Sequence, residues 1–193
     1  MRSEMRVPSI SRRFDRPTPI LKTARLVLRP PTLDDAPAIQ RQFERFEVVR
    51  YLNKTVPWPY PPDGASYFLE QVLQPCVDAG REQAWVITLD SVLIGFIHLV
   101  AAGDENRGFW LTPEYWGRGL MREASDRVTD YAMDELGWDL ISSGNAASNV
   151  ASSRVKQSQG FVRMAVFLKE FVGGTEDYEQ WTLTREVWLS RKS

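Results

Sequence analysis

Hydrophobic positions recur at every second residue near the start of the chain, where Leu26, Leu28 and Pro30 alternate with Arg25, Val27 and Arg29. This alternation predicts a half-buried strand over residues 21–30. The spacing then changes to that of a helix, which Asp34 or Asp35 can cap. Its apolar stripe consists of Ala38, Ile39, Phe43 and Phe46.

Both periodicities recur along the rest of the chain. The further predicted elements are a helix over 62–79, strands over 85–89, 92–101 and 107–112, a helix over 118–136, a strand over 138–142, a helix over 148–159, and strands over 161–171 and 178–189. The order β α α β β β α β α β β places hairpins at both ends of a central strand–helix–strand unit. It predicts the α/β class with a mixed sheet, and it excludes a Rossmann alternation.

Residues 51–62 show neither periodicity, and they contain four prolines and three aromatic residues. A long loop of this composition is either a binding loop or a packed lid. Trp58 and Tyr60 are therefore candidate substrate-binding residues.

A length of 193 residues favours one domain with a substantial core. The longest apolar stretch, residues 92–102, is interrupted by His98 and is too short to span a membrane. A net charge of −1 argues against a general nucleic-acid binder. Residues 1–30 nevertheless carry a net charge of +6. We predict a flexible basic arm over residues 1–20, with a transit peptide or a partner-binding arm as alternatives, and one domain over residues 21–193.

Cys76 is the single cysteine and His98 the single histidine. An intrachain disulfide is therefore impossible, and the usual all-protein zinc site is excluded. We expect no metal cofactor and a reducing, cytoplasmic compartment.

A pair of glycines lies where a predicted strand passes into the long helix. Gly117 and Gly119 follow the strand that stops at Pro113, and Arg118 and Arg122 add positive charge. Backbone N–H groups at such a junction can bind an anion. The Gly-Lys-Ser/Thr of a Walker loop is absent, and an arginine occupies the third glycine position of a dinucleotide fingerprint. A pyrophosphate cradle of another kind and a simple helix-entry turn both stay open.

Five stretches of the chain carry motifs in a fixed order. They are Thr23-Ala24-Arg25-Leu26-Val27-Leu28-Arg29 with Leu33-Asp34-Asp35-Ala36 after it, Pro59-Tyr60 before Ala65 and Phe68, Leu93-Ile94-Gly95-Phe96-Ile97, Gly108-Phe109-Trp110-Leu111 through Tyr115-Trp116-Gly117-Arg118-Gly119 to Glu123-Ala124, and Asn149-Val150-Ala151-Ser152 before Gly160-Phe161. Together they resemble the GNAT N-acetyltransferases, most of all the branch that acts on ribosomal proteins and small amines. The resemblance covers about residues 21–189.

This resemblance implies an α+β GNAT fold: a twisted, mostly antiparallel sheet of about seven strands, helices on both faces, and splayed central strands. It implies acetyl-CoA as co-substrate, with the pantetheine arm added like a strand beside the backbone of Leu111 and Thr112. Asn149 would contact that arm, and Ser152 would lie near the sulfur. The pyrophosphate would be held by the loop and helix start formed by Trp116, Gly117, Arg118, Gly119, Leu120, Met121 and Arg122.

The implied reaction is acetyl transfer to a primary amine, on a protein N-terminus or a small molecule, by direct attack in a ternary complex. Ser152 is the candidate acid for the departing thiolate, and a hydrogen bond to its own helix is the alternative. Some members of the wider fold use a tyrosine four residues before the Gly-Phe pair, where this chain has Lys156. For Lys156 and Arg154 we expect either contacts to the outer phosphates or solvated positions.

The base is less easily assigned, because the branch often has Glu two residues before the strand glycine, where this chain has Asn106. The neighbouring Glu105 would face the other side of a regular strand. Glu105 and Asn106 are the candidate catalytic positions, with a solvated carboxylate as the alternative for Glu105. His98 is a further candidate, although a lone histidine in a strand is usually structural.

Acceptor specificity is expected at Phe109, in the loop of Trp58 and Tyr60, and in the hairpin over residues 167–178. That hairpin carries Glu170, Glu176 and Asp177, which could attract a cationic amine. We expect a monomer or a homodimer, since an edge strand of this hairpin could pair two copies.

Two other functions stay open from the sequence. Asn106 suggests a non-catalytic acyl-CoA-binding module, and the basic arm with the aromatic loop suggests an interaction protein. Nucleic acid and membrane are not expected as partners.

Overall fold

The computed structural model describes residues 10–191, and its strands form antiparallel pairs in three sheets. In chain order the strands are β1 (Ile10–Ser11), β2 (Leu21–Lys22), β3 (Leu26–Arg29), β4 (Glu82–Leu89), β5 (Val92–Val100), β6 (Ala102–Gly103), β7 (Arg107–Leu111), β8 (Leu140–Ala146), β9 (Val162–Phe171) and β10 (Gly174–Thr184). The largest sheet has the order β2-β3-β4-β5-β7, a second has the order β8-β10-β9, and β1 pairs with β6.

Helices occupy the connections between these strands. They are α1 (Ala36–Phe43), α2 (Phe46–Val49), α3 (Gly64–Tyr67), α4 (Gln74–Asp78), α5 (Leu120–Asp130), α6 (Val150–Gln159) and α7 (Arg185–Ser190). A wide π-helical segment, Phe68–Leu73, joins α3 to α4, and another, Tyr131–Glu135, continues α5. Among the described residues, no helix is both long enough and apolar enough to cross a membrane.

The central strand β4 separates two cores. Trp85 and Ile87 belong to the core that α5 covers with Leu120, Ala124 and Val128. Ala84 and Val86 point to the opposite face, where they pack with residues of α1 and α3. Because successive strand side chains alternate between faces, one buried strand serves both layers. The predicted mostly antiparallel sheet with helices on both faces is confirmed.

The strands β7 and β8 meet at one end and lie in different sheets. The Asn106 N–H donates to the Ser142 carbonyl oxygen over 3.0 Å, and the Ser143 hydroxyl donates to the Arg107 carbonyl oxygen over 2.9 Å. Beyond this junction β7 pairs with β5 and β8 pairs with β10. The predicted splay is confirmed, and it divides the expected single sheet into five-stranded and three-stranded sheets.

The C-terminal end differs from the prediction, because the last strand stops at Thr184 and α7 follows. The Thr184 hydroxyl oxygen accepts a hydrogen bond from the Val187 N–H and caps this helix. Trp188 is buried, and its indole N–H donates to Asp130 over 2.9 Å. The predicted strand extended to residue 189 because α7, like a strand, buries one of its faces against the core, so apolar residues recur along it too.

The predicted flexible arm also differs over residues 12–20, which pack against the domain. Phe14 is buried against Trp138, with ring centres 5.8 Å apart, and the Trp85 indole N–H donates to the Pro19 carbonyl oxygen over 2.7 Å. A buried aromatic side chain and a satisfied indole fix this segment. Residues 1–9 of the predicted arm lie outside the described residues.

The strand β9 lies at the edge of the three-stranded sheet. Several of its apolar side chains are exposed, including Val162, Val166, Phe167 and Leu168. The hairpin therefore presents an edge strand, as expected, and a homodimer through it stays a prediction.

Candidate active site

The splay between β7 and β8 opens into a cavity of about 1450 Å³. The cavity begins at the Gly117–Gly119 turn, passes along β7 and the start of α6, and reaches aromatic side chains from α1 and the proline-rich loop. The sequence-predicted residues that line it are Glu105, Phe109, Leu111, Trp116, Gly117, Gly119, Leu120, Met121, Arg122, Asn149, Ser152, Arg154, Tyr60 and His98.

The glycine turn presents backbone amides to one end of the cavity. Gly117 and Gly119 have φ of +71° and +74°, a left-handed conformation that glycine adopts without strain. The helix α5 begins directly after them, and the first amides of a helix have no partner within it. The turn can therefore direct N–H groups and the positive end of the helix dipole at an anion.

Arg118 departs from the prediction, because it does not line the cavity. Its guanidinium lies 5.4 Å from the centre of the Tyr115 ring. Its carbonyl oxygen accepts a hydrogen bond from Arg25 over 3.1 Å. Arg122, one turn into α5, supplies the positive charge at this part of the cavity wall.

The open edge of β7 lies along the middle of the cavity. The Asn106 carbonyl oxygen and the Thr112 N–H pair with β5, so the even-numbered residues of this strand direct their backbone groups to β5. Phe109 and Leu111 consequently direct theirs toward the splay. The predicted backbone contact from Thr112 is thus wrong, since its N–H already donates to Ile94 over 2.8 Å.

Trp116 closes this edge near its end. Its indole N–H donates to the Leu111 carbonyl oxygen over 2.7 Å, and the indole lines the cavity. The Leu111 N–H and the backbone groups of Phe109 remain directed at the cleft, where an extended ligand can add to them as a further strand does.

Asn149 and Ser152 form the opposite wall. Asn149 caps α6, its side-chain oxygen accepting the Ser152 N–H over 3.2 Å. The side-chain N–H₂ group of Asn149 takes no part in this capping hydrogen bond and can donate to a ligand. The Ser152 hydroxyl accepts a hydrogen bond from the Lys156 ammonium over 2.7 Å.

Lys156 is fully buried, so the expectation of a phosphate contact or a solvated position is wrong. Its ammonium also donates to the Asn145 side-chain oxygen over 2.8 Å. Burial, with a contribution from nearby Arg107, lowers the pKa of Lys156 well below its ordinary value, and Glu105 and Glu179 oppose that shift. Arg107 is itself buried, which lowers its pKa to about 9.

Glu105 reaches the cavity beside the hairpin of β9 and β10. Lys169 donates to its carboxylate over 2.9 Å, and the Lys169 ammonium lies 4.3 Å from the centre of the Tyr178 ring. Burial, followed by the charge of Glu105, raises the pKa of Tyr178. A Cβ at Gly144 would overlap the Tyr178 hydroxyl group, so glycine is required there. Sequence reasoning missed Lys169 and Tyr178, which come from the far end of the chain.

Asn106 is structural, which corrects its assignment as a candidate base. Its side-chain oxygen accepts the Ser142 N–H over 2.8 Å, and its side chain is buried at the closed end of the splay. An amide suits this place because it can accept from one strand while its own N–H₂ faces the Leu140 carbonyl oxygen. The residue holds β7 to β8 and does not line the cavity.

His98 lies on the cavity wall and is hydrogen-bonded through Nδ1 to the Glu82 carboxylate. Its Nε2 faces Gly108, where a Cβ would overlap the imidazole. A carboxylate on one ring nitrogen fixes the orientation of the other. His98 is therefore a second candidate base at the cavity, in addition to Glu105, and its ring orientation is fixed by Glu82.

Aromatic side chains form the far wall. Tyr60 packs on Phe43, with ring centres 5.1 Å apart, and burial raises the pKa of Tyr60 to about 12. Phe43 also meets the edge of Trp110 at 5.4 Å. Trp58, predicted as a substrate contact, instead packs on Phe46 outside the cavity.

The start of the proline-rich loop is attached to the C-terminal hairpin. The Val172 N–H donates to the Leu52 carbonyl oxygen over 3.0 Å, and the Gly173 N–H donates to the Arg50 carbonyl oxygen over 2.9 Å. Of the hairpin carboxylates, Glu170 pairs with Lys54 over 2.8 Å and lies off the cavity. Backbone hydrogen bonds thus join the loop to the hairpin, and the two together cover one side of the cavity.

A long ligand with phosphates at one end, a hydrogen-bonding arm and a reactive thioester would use every part of this cavity. The class that the fold and the site define is therefore a CoA-dependent acyltransferase. The family model described as acetyltransferase (GNAT) domain matches residues 25–162. YoaA of Bacillus subtilis (strain 168), an uncharacterized N-acetyltransferase, is 30% identical over 154 residues, which are 77% of this chain and 85% of that protein.

Solved structures agree on the fold. Ribosomal-protein-S5-alanine acetyltransferase from Vibrio fischeri superposes with a TM-score of 0.73 at 20% identity, over 88% of this chain and 98% of that one. Spermidine N-acetyltransferase from Vibrio cholerae, solved with CoA and spermine, gives 0.72 at 21% identity, over 86% and 99%. The chain belongs to the GNAT acetyltransferase family. It is an N-acetyltransferase that uses acetyl-CoA.

Proposed function

We propose that this protein transfers the acetyl group of acetyl-CoA to a primary amine by direct attack within a ternary complex. The observation that carries the proposal is the continuity of one cavity from the Gly117–Gly119 turn, along the open edge of β7, to Ser152 and Glu105. Two substrates can enter such a cavity from opposite ends and meet at the splay.

In this proposal the amides of Gly117, Gly119, Leu120 and Met121 hold the pyrophosphate, and Arg122 adds charge. The free backbone groups of Phe109 and Leu111 pair with the pantetheine arm, and the Asn149 amide contacts it from α6. The Leu111 N–H also offers a donor to the oxygen on which negative charge develops.

The acceptor nitrogen must lose a proton before it attacks, since an alkyl ammonium has a pKa near 10. We assign this step to the Glu105 carboxylate, which lines the cavity with one oxygen held by Lys169. Tyr60 and Phe109 contact the acceptor. The Ser152 hydroxyl protonates the departing thiolate. His98 is the competing base, and the variants Glu105→Gln and His98→Gln distinguish the two by which one abolishes turnover.

A thermal-shift assay with acetyl-CoA, desulfo-CoA and ATP tests the binding part of the proposal. At about 100 times the dissociation constant, a ligand adds roughly 2.7 kcal/mol of stability. We expect both CoA ligands to raise the melting temperature and ATP to have little effect. An amine panel with thiol detection follows, covering peptides with free N-termini, polyamines, aminoglycosides and amino acids. CoA binding without turnover of any amine would favour a non-catalytic acyl-CoA-binding module.

A further inference from the structure

Lys156 is the feature of the site that the proposed chemistry leaves unused. It lies one helical turn after Ser152 on α6, is fully buried, and its ammonium is 5.3 Å from the centre of the Phe109 ring. Burying an ammonium group is costly unless polar partners surround it. Its two close partners are the Asn145 side-chain oxygen at 2.8 Å and the Ser152 hydroxyl at 2.7 Å.

Further hydrogen bonds fix the orientation of the Asn145 side chain, one of the two partners of Lys156. Asn145 donates its side-chain N–H₂ to the Ala146 carbonyl oxygen and to the Ser153 hydroxyl, so its oxygen must face Lys156. The Ser153 hydroxyl in turn donates to Glu179 over 2.9 Å. Because the ammonium donates to the Ser152 oxygen, the Ser152 proton is left to point into the cavity.

We propose that Lys156 is the proton source behind Ser152, supplying through this hydroxyl the proton that the departing CoA thiolate takes up. The inference rests on the proposed function and deepens it. Ser152 lines the cavity and meets the sulfur, whereas Lys156 acts through Ser152 and is a positioning residue.

In this step the carbon–sulfur bond of the thioester breaks, and its electron pair goes to sulfur. The sulfur takes the proton of the Ser152 hydroxyl, and the Ser152 oxygen takes a proton from the Lys156 ammonium. The acceptor nitrogen is now bonded to the acetyl carbon; it gave one proton to the base before attack and releases a second to water as the amide forms. Lys156 is left neutral and regains a proton from water through Ser152 after CoA departs.

The surroundings suit Lys156 to this transfer. A thiol has a pKa of about 8.5 and an ordinary lysine about 10.4, so an ordinary lysine would hold its proton too tightly. Burial and the cation of Arg107 both lower the pKa of Lys156 and weaken that hold, while the carboxylates of Glu105 and Glu179 oppose the shift. Glu105 and Arg107 lie at or just before the start of β7 and Glu179 lies on β10, so these charges reach Lys156 from two separate parts of the chain.

The experiment compares Lys156→Met, Ser152→Ala and the double variant with the wild-type enzyme, using acetyl-CoA and an amine that the wild type turns over. Methionine is similar in size to lysine and cannot donate a proton. We expect each single variant to lose roughly 10²- to 10⁴-fold in kcat, the range of general acid catalysis. The KM for acetyl-CoA should change little, and the basic limb of the pH profile of kcat should be lost. The double variant should lose no more than either single variant, since the two residues act as one unit.

Ser158→Ala is the matched control, because Ser158 lies on the same helix and its hydroxyl donates to the Val155 carbonyl oxygen of that helix. It should keep the wild-type pH profile. If Lys156→Met does not fold, as judged by thermal unfolding and CoA binding, Lys156→Gln takes its place, because a neutral amide can still hydrogen-bond to Ser152 and cannot supply a proton; the same outcomes then apply to it. Retention of kcat and of the basic limb in Ser152→Ala or in a folded Lys156→Met, or additive losses in the double variant, would overturn the inference. Absence of turnover by the wild type would instead contradict the proposed function.

Discussion

The glycine turn allows a sharp test of how this protein holds the phosphates of CoA. Gly117 has φ of +71°, and a Cβ added there would meet nothing within 4 Å. Gly117→Ala therefore introduces no steric clash, and its whole cost is conformational. A left-handed conformation costs a non-glycine residue about 1–2 kcal/mol. For a chain of this length that is a fall in melting temperature of roughly 2–8 °C.

The larger effect should be on CoA binding. To relieve the strain in the Gly117→Ala variant, the backbone at position 117 would rotate and turn neighbouring amides away from the cavity. Losing one hydrogen bond to a charged group costs about 1.5–3 kcal/mol, which is roughly 10- to 150-fold in the dissociation constant. Isothermal titration with CoA measures this change, and unfolding without ligand measures the loss of stability.

Gly137 provides the matched control. It has φ of +68°, a Cβ there would also meet nothing within 4 Å, and it lies off the cavity, after the helical segment Tyr131–Glu135. Gly137→Ala should lose similar stability and keep its affinity for CoA. If Gly117→Ala binds CoA as tightly as the wild type, the turn is only a helix entry and the reasoning is refuted. Equal losses of affinity in both variants would show a global effect of destabilisation.

Three other substitutions test separate parts of the structure. Tyr60→Ala should raise the KM for the acceptor about fivefold or more, which is roughly 1 kcal/mol. Trp58→Ala should leave this KM unchanged, because of the two side chains only Tyr60 lines the cavity. Steady-state kinetics with one fixed amine measure both effects. Asn106→Ala should lower the free energy of unfolding by about 1–3 kcal/mol, because a buried N–H of β8 loses its acceptor; loss of activity with unchanged denaturant midpoint would contradict it. Burial alone would raise the pKa of Asp35, but hydrogen bonds from Arg29 and Thr32 bring that pKa below its ordinary value. The ionised Asp35 therefore stabilises the fold above about pH 4, and this stability is lost as the pH falls through the lowered pKa. Asp35→Asn should therefore be less stable at neutral pH and lose less on acidification, as urea titrations at several pH values would measure.

Local signals in the sequence were enough for most of the fold. The helices predicted to end at residues 79, 136 and 159 end within one residue of those positions, and each is followed by a glycine of positive φ, namely Gly80, Gly137 and Gly160. These signals succeed because a left-handed residue at a helix end needs glycine whatever the tertiary context. The order of helices and strands is also encoded locally, in the spacing at which hydrophobic residues recur along the chain.

Tertiary contacts explain what the sequence did not reveal. Asn106 and Glu105 are neighbours in the chain, yet one bonds to β8 and the other reaches the cavity. Lys156 lies on a helix of weak amphipathicity, so its position in the sequence does not predict burial; neighbours on β7 and β8, including Phe109 and Asn145, bury it in the fold. A charged residue type predicts exposure, so a buried lysine is missed unless its partners are known.

The opening strand motif and the glycine turn, far apart in sequence, form one structural unit. Arg25 donates to the Arg118 carbonyl oxygen across 93 residues of chain, and its guanidinium pairs with Glu123 over 2.6 Å. Glu123 also accepts the Arg25 N–H and the Thr23 hydroxyl proton, which bends the chain between β2 and β3. The hydrogen bond from Arg25 holds the Arg118 carbonyl oxygen toward Arg25, which leaves the neighbouring amides of the turn available to the cavity. A carbonyl oxygen within the glycine turn is therefore held by a contact between segments 93 residues apart, which no local pattern in the sequence encodes.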